Sequence, residues 1–404
     1  MNPHLKDLHP YPFEKLTQLK AGIIPPSSLD PILLSVGEPQ HAAPDFVKQA
    51  LRASIEGIDG LEKYPSTRGT DSLRETIAQW LVERFGLDNS AIDPASHILP
   101  VAGTREALFA FTQVLIDQST ADNPMVVCPN PFYQIYEGAA ILAGAEPYYI
   151  NCVEEQNFIP DLDAVPAEVW QRCQLLQLCS PGNPTGTTLS QADYKRALEL
   201  ADQYDFVVAC DECYSEIYRD EQNPPLGLLD ACKQLGRDNF QRCMVFHSLS
   251  KRSNLPGLRS GFVAGDPTLI AAFFRYRTYH GCALSLPVQN ASIAAWQDES
   301  HVLANRALYR EKFSAVSKVL QQVMPVSVPE ASFYLWLQTP GDDIQFARDL
   351  YAEQNITVLP GQYLSRETSM GNPGSGRVRL ALVAPIEECI EAAQRIVTFV
   401  EQSY

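Results

Sequence analysis

From about residue 95 the chain alternates short, nearly continuous apolar runs with longer stretches whose apolar positions recur at helical spacing. HILPVAG is followed by TREALFAFTQVLID, in which Leu108, Phe111, Thr112 and Leu115 share one helical face. MVVCPNP precedes a helical segment near 133–143, EPYYIN comes next, and QLLQLCSPGNP leads into SQADYKRALELADQY. FVVACDE, QRCMVFHSLS and RSGFVAG read as further strands. Strands that alternate with helices, and that are apolar at most positions, predict an α/β fold with a mainly parallel sheet covered on both faces.

Downstream of about residue 287 the pattern changes. One long helical stretch leads to ASFYLWLQ, then DIQFARDLYAEQ, ITVLPG, RVRLALV and a last helix. This predicts a smaller α/β C-terminal domain over 287–404, after a large domain over 46–286. Residues 1–45 are Pro-rich and irregular and read as an N-terminal arm with a segment of the smaller domain.

Composition narrows the function. The 404 residues are 45% hydrophobic and 20% charged, with a formal net charge of -17. That is a globular composition with room for a large core, and its acidity disfavours nucleic acid as a partner. The first residues lack the apolar core and small-residue cleavage site of an export signal, and no apolar run is long enough for a membrane helix. A cytoplasmic protein with reduced thiols is expected, and its ten cysteines show no disulfide framework. The one CxxC, Cys210 and Cys213, has no second pair and no histidine at ligand spacing, so it reads as two buried thiols and no metal is expected.

In parallel sheets ligands bind outside the carboxyl ends of the strands. Polar clusters follow the apolar runs at those ends: Gly103-Thr104-Arg105, Asn130 to Tyr133, Pro181 to Pro184, Asp211-Glu212, and Ser248 to Lys251. Lys251, at the end of CMVFHSL, is a candidate nucleophile or base, because a desolvated amine loses its proton more readily. Arg259, Ser248 and Ser250 suit a phosphate dianion, and a helix starting at Gly103-Thr104-Arg105 would aim free N–H groups at the same anion. Asp211 ends an apolar strand, where a carboxylate needs a partner; a protonated ring nitrogen would serve. Tyr214 and Asn183 would then donate to a phenolate oxygen on that ring.

SLSK followed by GLRSGF, with NPTG and DE-x-Y upstream, resembles the class I and II pyridoxal-phosphate aminotransferases of fold type I. YPSTRGTDSLRETIA and RVRLALV extend the resemblance over nearly the whole chain. It implies a seven-stranded, mostly parallel sheet flanked by helices. It also implies that Lys251 carries pyridoxal 5'-phosphate as a Schiff base and shuttles a proton, with Asp211 on the ring nitrogen. Tyr133 would stack on the ring, while Thr104, the amides of Gly103 to Arg105, Ser248, Ser250 and Arg259 hold the phosphate. Arg379 would clamp the substrate α-carboxylate, with the Gly37 backbone beside it. Arg377, two residues away, has the same chemistry, so the choice of Arg379 rests on the resemblance. Tyr64 would reach the phosphate of a second subunit, which implies a homodimer with shared active sites.

GEPQHAAP, LEKYPSTRG and ILPVAGTREALF look like the bacterial succinyldiaminopimelate aminotransferases of lysine and diaminopimelate biosynthesis. The implied substrates are N-succinyl-LL-2,6-diaminopimelate and 2-oxoglutarate. Arg277 and the segment around it are candidates for the distal contacts, or for the dimer interface. Alternatives are an aminotransferase for aspartate, an aromatic amino acid or N-acetylornithine, or a pyridoxal-phosphate C–S lyase. A transcriptional regulator on this fold would need a DNA-binding module, and none is visible before residue 45.

Overall fold

The computed structural model describes residues 1–404 except 58–59 and 121–122. Its strands are β1 (Ile32–Leu33), β2 (Ile98–Val101), β3 (Met125–Asn130), β4 (Glu146–Asn151), β5 (Cys173–Cys179), β6 (Val207–Asp211), β7 (Cys243–Ser248), β8 (Gly261–Gly265), β9 (Tyr334–Gln338), β10 (Ile356–Thr357), β11 (Leu359–Pro360) and β12 (Arg377–Ala381). Seven of them form the central sheet in the order β2-β8-β7-β6-β5-β3-β4. Strands β3 to β7 run parallel, whereas β8 is antiparallel to both its neighbours. The segment between β7 and β8 holds only the helical turn Leu249–Arg252 and the 3-10 turn Pro256–Leu258, too little for a crossover helix.

Both faces of this sheet are covered, which is why its strands lack polar alternation. Val127, Leu176, Val208, Cys210 and Val245 pack into one apolar layer. Their neighbours Val126, Cys128, Leu175, Ala209, Met244 and Phe246 pack into another. This is the period-two division of a strand between two dry faces. The helix Leu286–Gln297 adds Ala291, Ala295 and Trp296 to the first layer.

A second sheet, β11-β12-β9, is antiparallel. The helices Ser300–Leu320 and Ile386–Ser403 pack on it through Phe313, Val316, Leu320, Ile396 and Phe399. Ile32 and Leu34 enter the same core from the far end of the chain, as β1 pairs parallel with β10. Adjacent strand ends then converge. Asp211 sits in register between Cys179 and Phe246, and Ser248 faces Gly261.

Candidate active site

A cavity of about 550 Å³ opens at these strand ends, between the central sheet, β12 and the segment Val36 to Glu38. Gly37, Thr104, Arg105, Tyr133, Asn183, Asp211, Tyr214, Ser248, Ser250, Lys251, Arg259 and Arg379 all line it. Gly103 abuts it, whereas Tyr64 is fully exposed and does not line this chain's own cavity.

Lys251 lies in the single helical turn that follows β7, a turn closed by the Ser248 hydroxyl accepting from the Ser250 amide at 3.1 Å. Its Nζ donates to the Gly37 carbonyl at 2.6 Å. Burial pulls its pKa down to about 8, and nearby Arg379 and Arg259 add to that while Cys213 and Glu38 oppose it. A usable fraction of the amine is therefore neutral near physiological pH.

Asp211 is 5% exposed. Oδ2 accepts from the Tyr136 hydroxyl at 2.8 Å, and Oδ1 from the Cys213 amide at 3.2 Å. Burial raises its pKa, and these hydrogen bonds only partly offset that. Among the described residues no lysine or arginine pairs with it. A buried carboxylate with neutral donors and no cation is suited to a cationic ring N–H.

The anion cradle is built from three directions. The helix Thr104–Leu115 starts at Gly103, whose φ of 93° suits glycine, and its first residues, Thr104 and Arg105, line the cavity, where a helix N-terminus offers free N–H groups. A Cβ at Gly103 would stand 2.3 Å from Arg259 Nη2, so the guanidinium's approach requires glycine there. Ser248 and Ser250 contribute the third side.

Arg379, on β12, is 4% exposed. Nη1 donates to Asn183 Oδ1 at 2.9 Å and Nη2 to the Ser35 carbonyl at 2.7 Å, while Nε has no protein partner. Its guanidinium lies over the Tyr334 ring, 4.3 Å from the centroid. Arg377 points elsewhere, to Glu154 at 2.5 Å and over Phe158. The geometry thus separates two arginines that the sequence could not.

Arg277, a candidate for the distal contacts or the dimer interface, does not line this chain's own cavity. It is fully buried, paired with Glu106, and donates to the Cys282 carbonyl at 2.5 Å. Besides Lys251, Arg259 and Arg379, the wall holds Arg105, whose Nε donates to the Tyr133 hydroxyl at 2.5 Å and Nη2 to the Tyr11 hydroxyl at 3.2 Å. Sequence reasoning assigned only the backbone of Arg105 and missed Tyr11, Glu38, Tyr136, Cys213 and Tyr334. Tyr136 lies one helical turn after Tyr133 and was findable by that spacing. Tyr334 meets Tyr214 hydroxyl to hydroxyl at 3.0 Å, and a Cβ at Gly37 would fall 1.9 Å from its oxygen. Nothing local in ASFYLWLQ announces that contact.

These residues fit pyridoxal phosphate. They offer a depressed lysine amine, an unpaired buried carboxylate, a dianion cradle at a helix N-terminus, and an aromatic wall at Tyr133. Arg379 Nε remains as an orphaned buried donor suited to a substrate carboxylate.

Comparison with known proteins gives a consistent picture. Residues 30–396 match the family model for aminotransferase class I and II. The chain is 31% identical over 397 residues to LL-diaminopimelate aminotransferase of Aquifex aeolicus (strain VF5), covering 97% of each. The crystal structure of an aminotransferase from Neisseria meningitidis Z2491 shares 50% identity and a TM-score of 0.94, over 99% of this chain and 100% of that one. A probable N-succinyldiaminopimelate aminotransferase from Thermus thermophilus shares 26% identity and a TM-score of 0.83, over 95% of this chain and 99% of that one.

Proposed function

Because the chain belongs to the class I and II aminotransferases, and so depends on pyridoxal phosphate, we propose that its donor is N-succinyl-LL-2,6-diaminopimelate and its acceptor 2-oxoglutarate. The products are N-succinyl-2-amino-6-oxopimelate and glutamate, a step of diaminopimelate and lysine formation. The observation that carries this reading is that, besides Arg259 of the anion cradle, two guanidiniums line the same cavity, Arg379 on β12 and Arg105 in the first turn of the helix Thr104–Leu115. Donor and acceptor each bear an α-carboxylate and a second, distal one, and each carboxylate suits a planar fork. The relatives named for diaminopimelate substrates support the same class of donor.

Pyridoxal phosphate, when bound, supplies an aldehyde and a ring that accepts electrons. The chain's own groups do the rest. Lys251 would hold the cofactor through its amine and, when that amine is free, would move the proton at the substrate's Cα. Asp211 keeps a proton on the ring nitrogen, and Tyr136 and the Cys213 amide hold the carboxylate in place. Asn183 turns its Oδ1 to Arg379 and so has its Nδ2 free to donate, beside Tyr214, to the phenolate oxygen. Thr104, Ser248, Ser250, Arg259 and the amides of Gly103 to Arg105 hold the phosphate, and Tyr133 covers the ring face. Gly37 lies beside the α-carboxylate.

The working unit in this reading is a homodimer in the cytoplasm. A second copy brings Tyr64 to the phosphate, and this tyrosine's full exposure, with Leu61 and Tyr279 also exposed, supports that placement. No described helix is long and apolar enough to cross a membrane.

Glu38 favours a second reading. It stands in the cavity wall and would attract the free distal ammonium of unacylated LL-diaminopimelate. The two are separated by mixing loaded protein with each donor and recording the half-reaction spectrum. The succinylated donor should convert fastest. Faster conversion by the unacylated donor, aspartate, an aromatic amino acid or N-acetylornithine would reassign the substrate. Release of pyruvate and ammonia without an acceptor would indicate a lyase.

A further inference from the structure

His41 lies just beyond the segment that carries Gly37, and its ring is clasped between two side chains of the helix Ser300–Leu320. Lys312 Nζ meets His41 Nε2 at 2.7 Å, and His41 Nδ1 meets Asn305 Oδ1 at 2.7 Å. The ring also packs on Tyr309, with centroids 4.6 Å apart. Lysine has no acceptor lone pair when charged, so Nε2 must accept; Nδ1 must then carry the hydrogen that Asn305 Oδ1 receives. Asn254 donates to the same Oδ1 at 3.0 Å, which fixes the amide's orientation. The Asn305 amide nitrogen in turn points at the Lys251 carbonyl, at 3.5 Å. Lys312 is 2% exposed, and its other acceptor is the Val383 carbonyl at 3.2 Å.

The segment is thus tied at both ends. Ser35 is held by Arg379, and Leu34 by the Ala381 amide at 2.7 Å, while His41 holds the other end to the helix. Between the ties sits the Gly37 carbonyl, the acceptor for the Lys251 amine.

We propose that neutral His41, bridging Lys312 and Asn305, is a positioning residue that keeps the Gly37 carbonyl on the Lys251 amine. This rests on Lys251 being the cofactor-binding lysine. The bridge works in one protonation state only, because a second proton on the ring would turn the Lys312 contact into two facing cations. Burial, and secondarily the Lys312 charge, hold the His41 pKa below its ordinary value, against the Asn305 hydrogen bond. Burial likewise lowers Lys312, which Cys389 and Glu387 partly counter. The neutral bridge is therefore the resting form at neutral pH.

The test reads Lys251 itself. In cofactor-free protein an amine-reactive probe, trinitrobenzenesulfonate, is applied across a pH series, and labelling of the Lys251 peptide is followed by mass. The groups that face this amine, Cys213, Arg379, Glu38 and Arg259, are unchanged throughout. The wild-type midpoint should lie near pH 8. In His41→Phe, which keeps the packing on Tyr309 but has no acceptor, the Gly37 carbonyl shifts away from the ammonium. The midpoint then falls by about one unit, the scale of a hydrogen bond to a charge. His41→Gln retains an acceptor and a donor and should keep the wild-type value, and Lys312→Met should behave like the Phe variant. An unchanged midpoint in folded His41→Phe overturns the proposal, as does a fall in the Gln variant equal to that in Phe. If the Phe variant does not fold, the contrast between Gln and Lys312→Met decides in the same way. Borohydride reduction of the loaded protein keeps the two ideas apart. Cofactor fixed to a lysine other than 251 sinks the assignment of Lys251, whereas cofactor on Lys251 with unmoved midpoints sinks only the role of His41.

Discussion

Replacing Arg379 by lysine preserves the positive charge and removes the fork. In the structure two guanidinium nitrogens are already committed, Nη1 to Asn183 and Nη2 to Ser35, and Nε alone lacks a protein partner. A carboxylate arriving on that edge gains two parallel charge-assisted bonds, one from Nε and one from the remaining Nη hydrogen. A lysine ammonium directed at the same carboxylate makes one of them and leaves Asn183 Oδ1 and the Ser35 carbonyl competing for its other hydrogens. One lost hydrogen bond to a charged group is worth about 1.5–3 kcal/mol, which converts to a fall in kcat/KM of about 10- to 150-fold. Because every amino donor and oxo acid presents an α-carboxylate, the loss should be the same, within a few-fold, for succinyldiaminopimelate, glutamate and alanine. Steady-state kinetics with the three donors, at fixed acceptor, reads this directly. A loss confined to the dicarboxylic donors, with alanine unaffected, would place Arg379 on the side-chain carboxylate and refute the reasoning.

Three further outcomes follow from the geometry. Asp211→Asn should fold normally by circular dichroism yet lose about 10- to 1000-fold in kcat, since pairing favours the charged forms by about 1–3 pKa units; near wild-type turnover would remove Asp211 from its role. The Lys251 pKa of about 8 lies below the 10.5 of an unperturbed lysine, so the unfolded chain binds the extra proton between those values. Cofactor-free wild type should therefore gain urea stability from pH 8 to 10 relative to Lys251→Met, and a flat difference would contradict the burial of the amine. Glu137 is 4% exposed and receives Arg366 through Nε at 2.6 Å and Nη2 at 2.5 Å, so Glu137→Gln should cost about 3–5 kcal/mol in urea titration by stranding the guanidinium; a cost below about 1 kcal/mol would mean the pair is solvated.

The central sheet was legible because its strands are buried on both faces, which imprints unbroken apolar runs on the sequence. The polar clusters at their carboxyl ends were legible for the complementary reason, that a buried run gives way to charge only where there is something to bind. Contacts made across the fold left no such trace. Tyr136 reaches Asp211 from a sequence distance of 75 residues, and Tyr334 reaches Tyr214 from 120. Arg277 reads from the sequence as a candidate for the distal contacts or the dimer interface, and nothing local shows that it pairs with Glu106, a residue 171 positions earlier. The helix Leu286–Gln297 carries Ala291, Ala295 and Trp296 on its packed face, and its periodicity shows a buried stripe without naming which of two cores it joins.

Arg377 and Arg379 show where that limit lies. Both occupy the same face of β12, so period two treats them alike, and their side chains have the same reach. They part because different segments of the chain stand against the two positions along β12. The later residue along β12 meets Ser35 and Asn183, and the earlier one meets Glu154 and Phe158. The distinction depends on which loops cap each level of the sheet, and those loops come from residues 35, 154 and 183, far from the strand in sequence. Two glycines narrow the matter from the other side. Gly37 leaves room for Tyr334, and Gly103 leaves room for Arg259, with under 2.5 Å available to a Cβ in either case. Each marks a point where a Cβ would push a functional side chain aside. A glycine at a strand end is thus a weak signal in the sequence and a strong one once its neighbour is known: alanine at 37 must displace the tyrosine hydroxyl that Tyr214 depends on, and alanine at 103 must displace the guanidinium from the anion cradle.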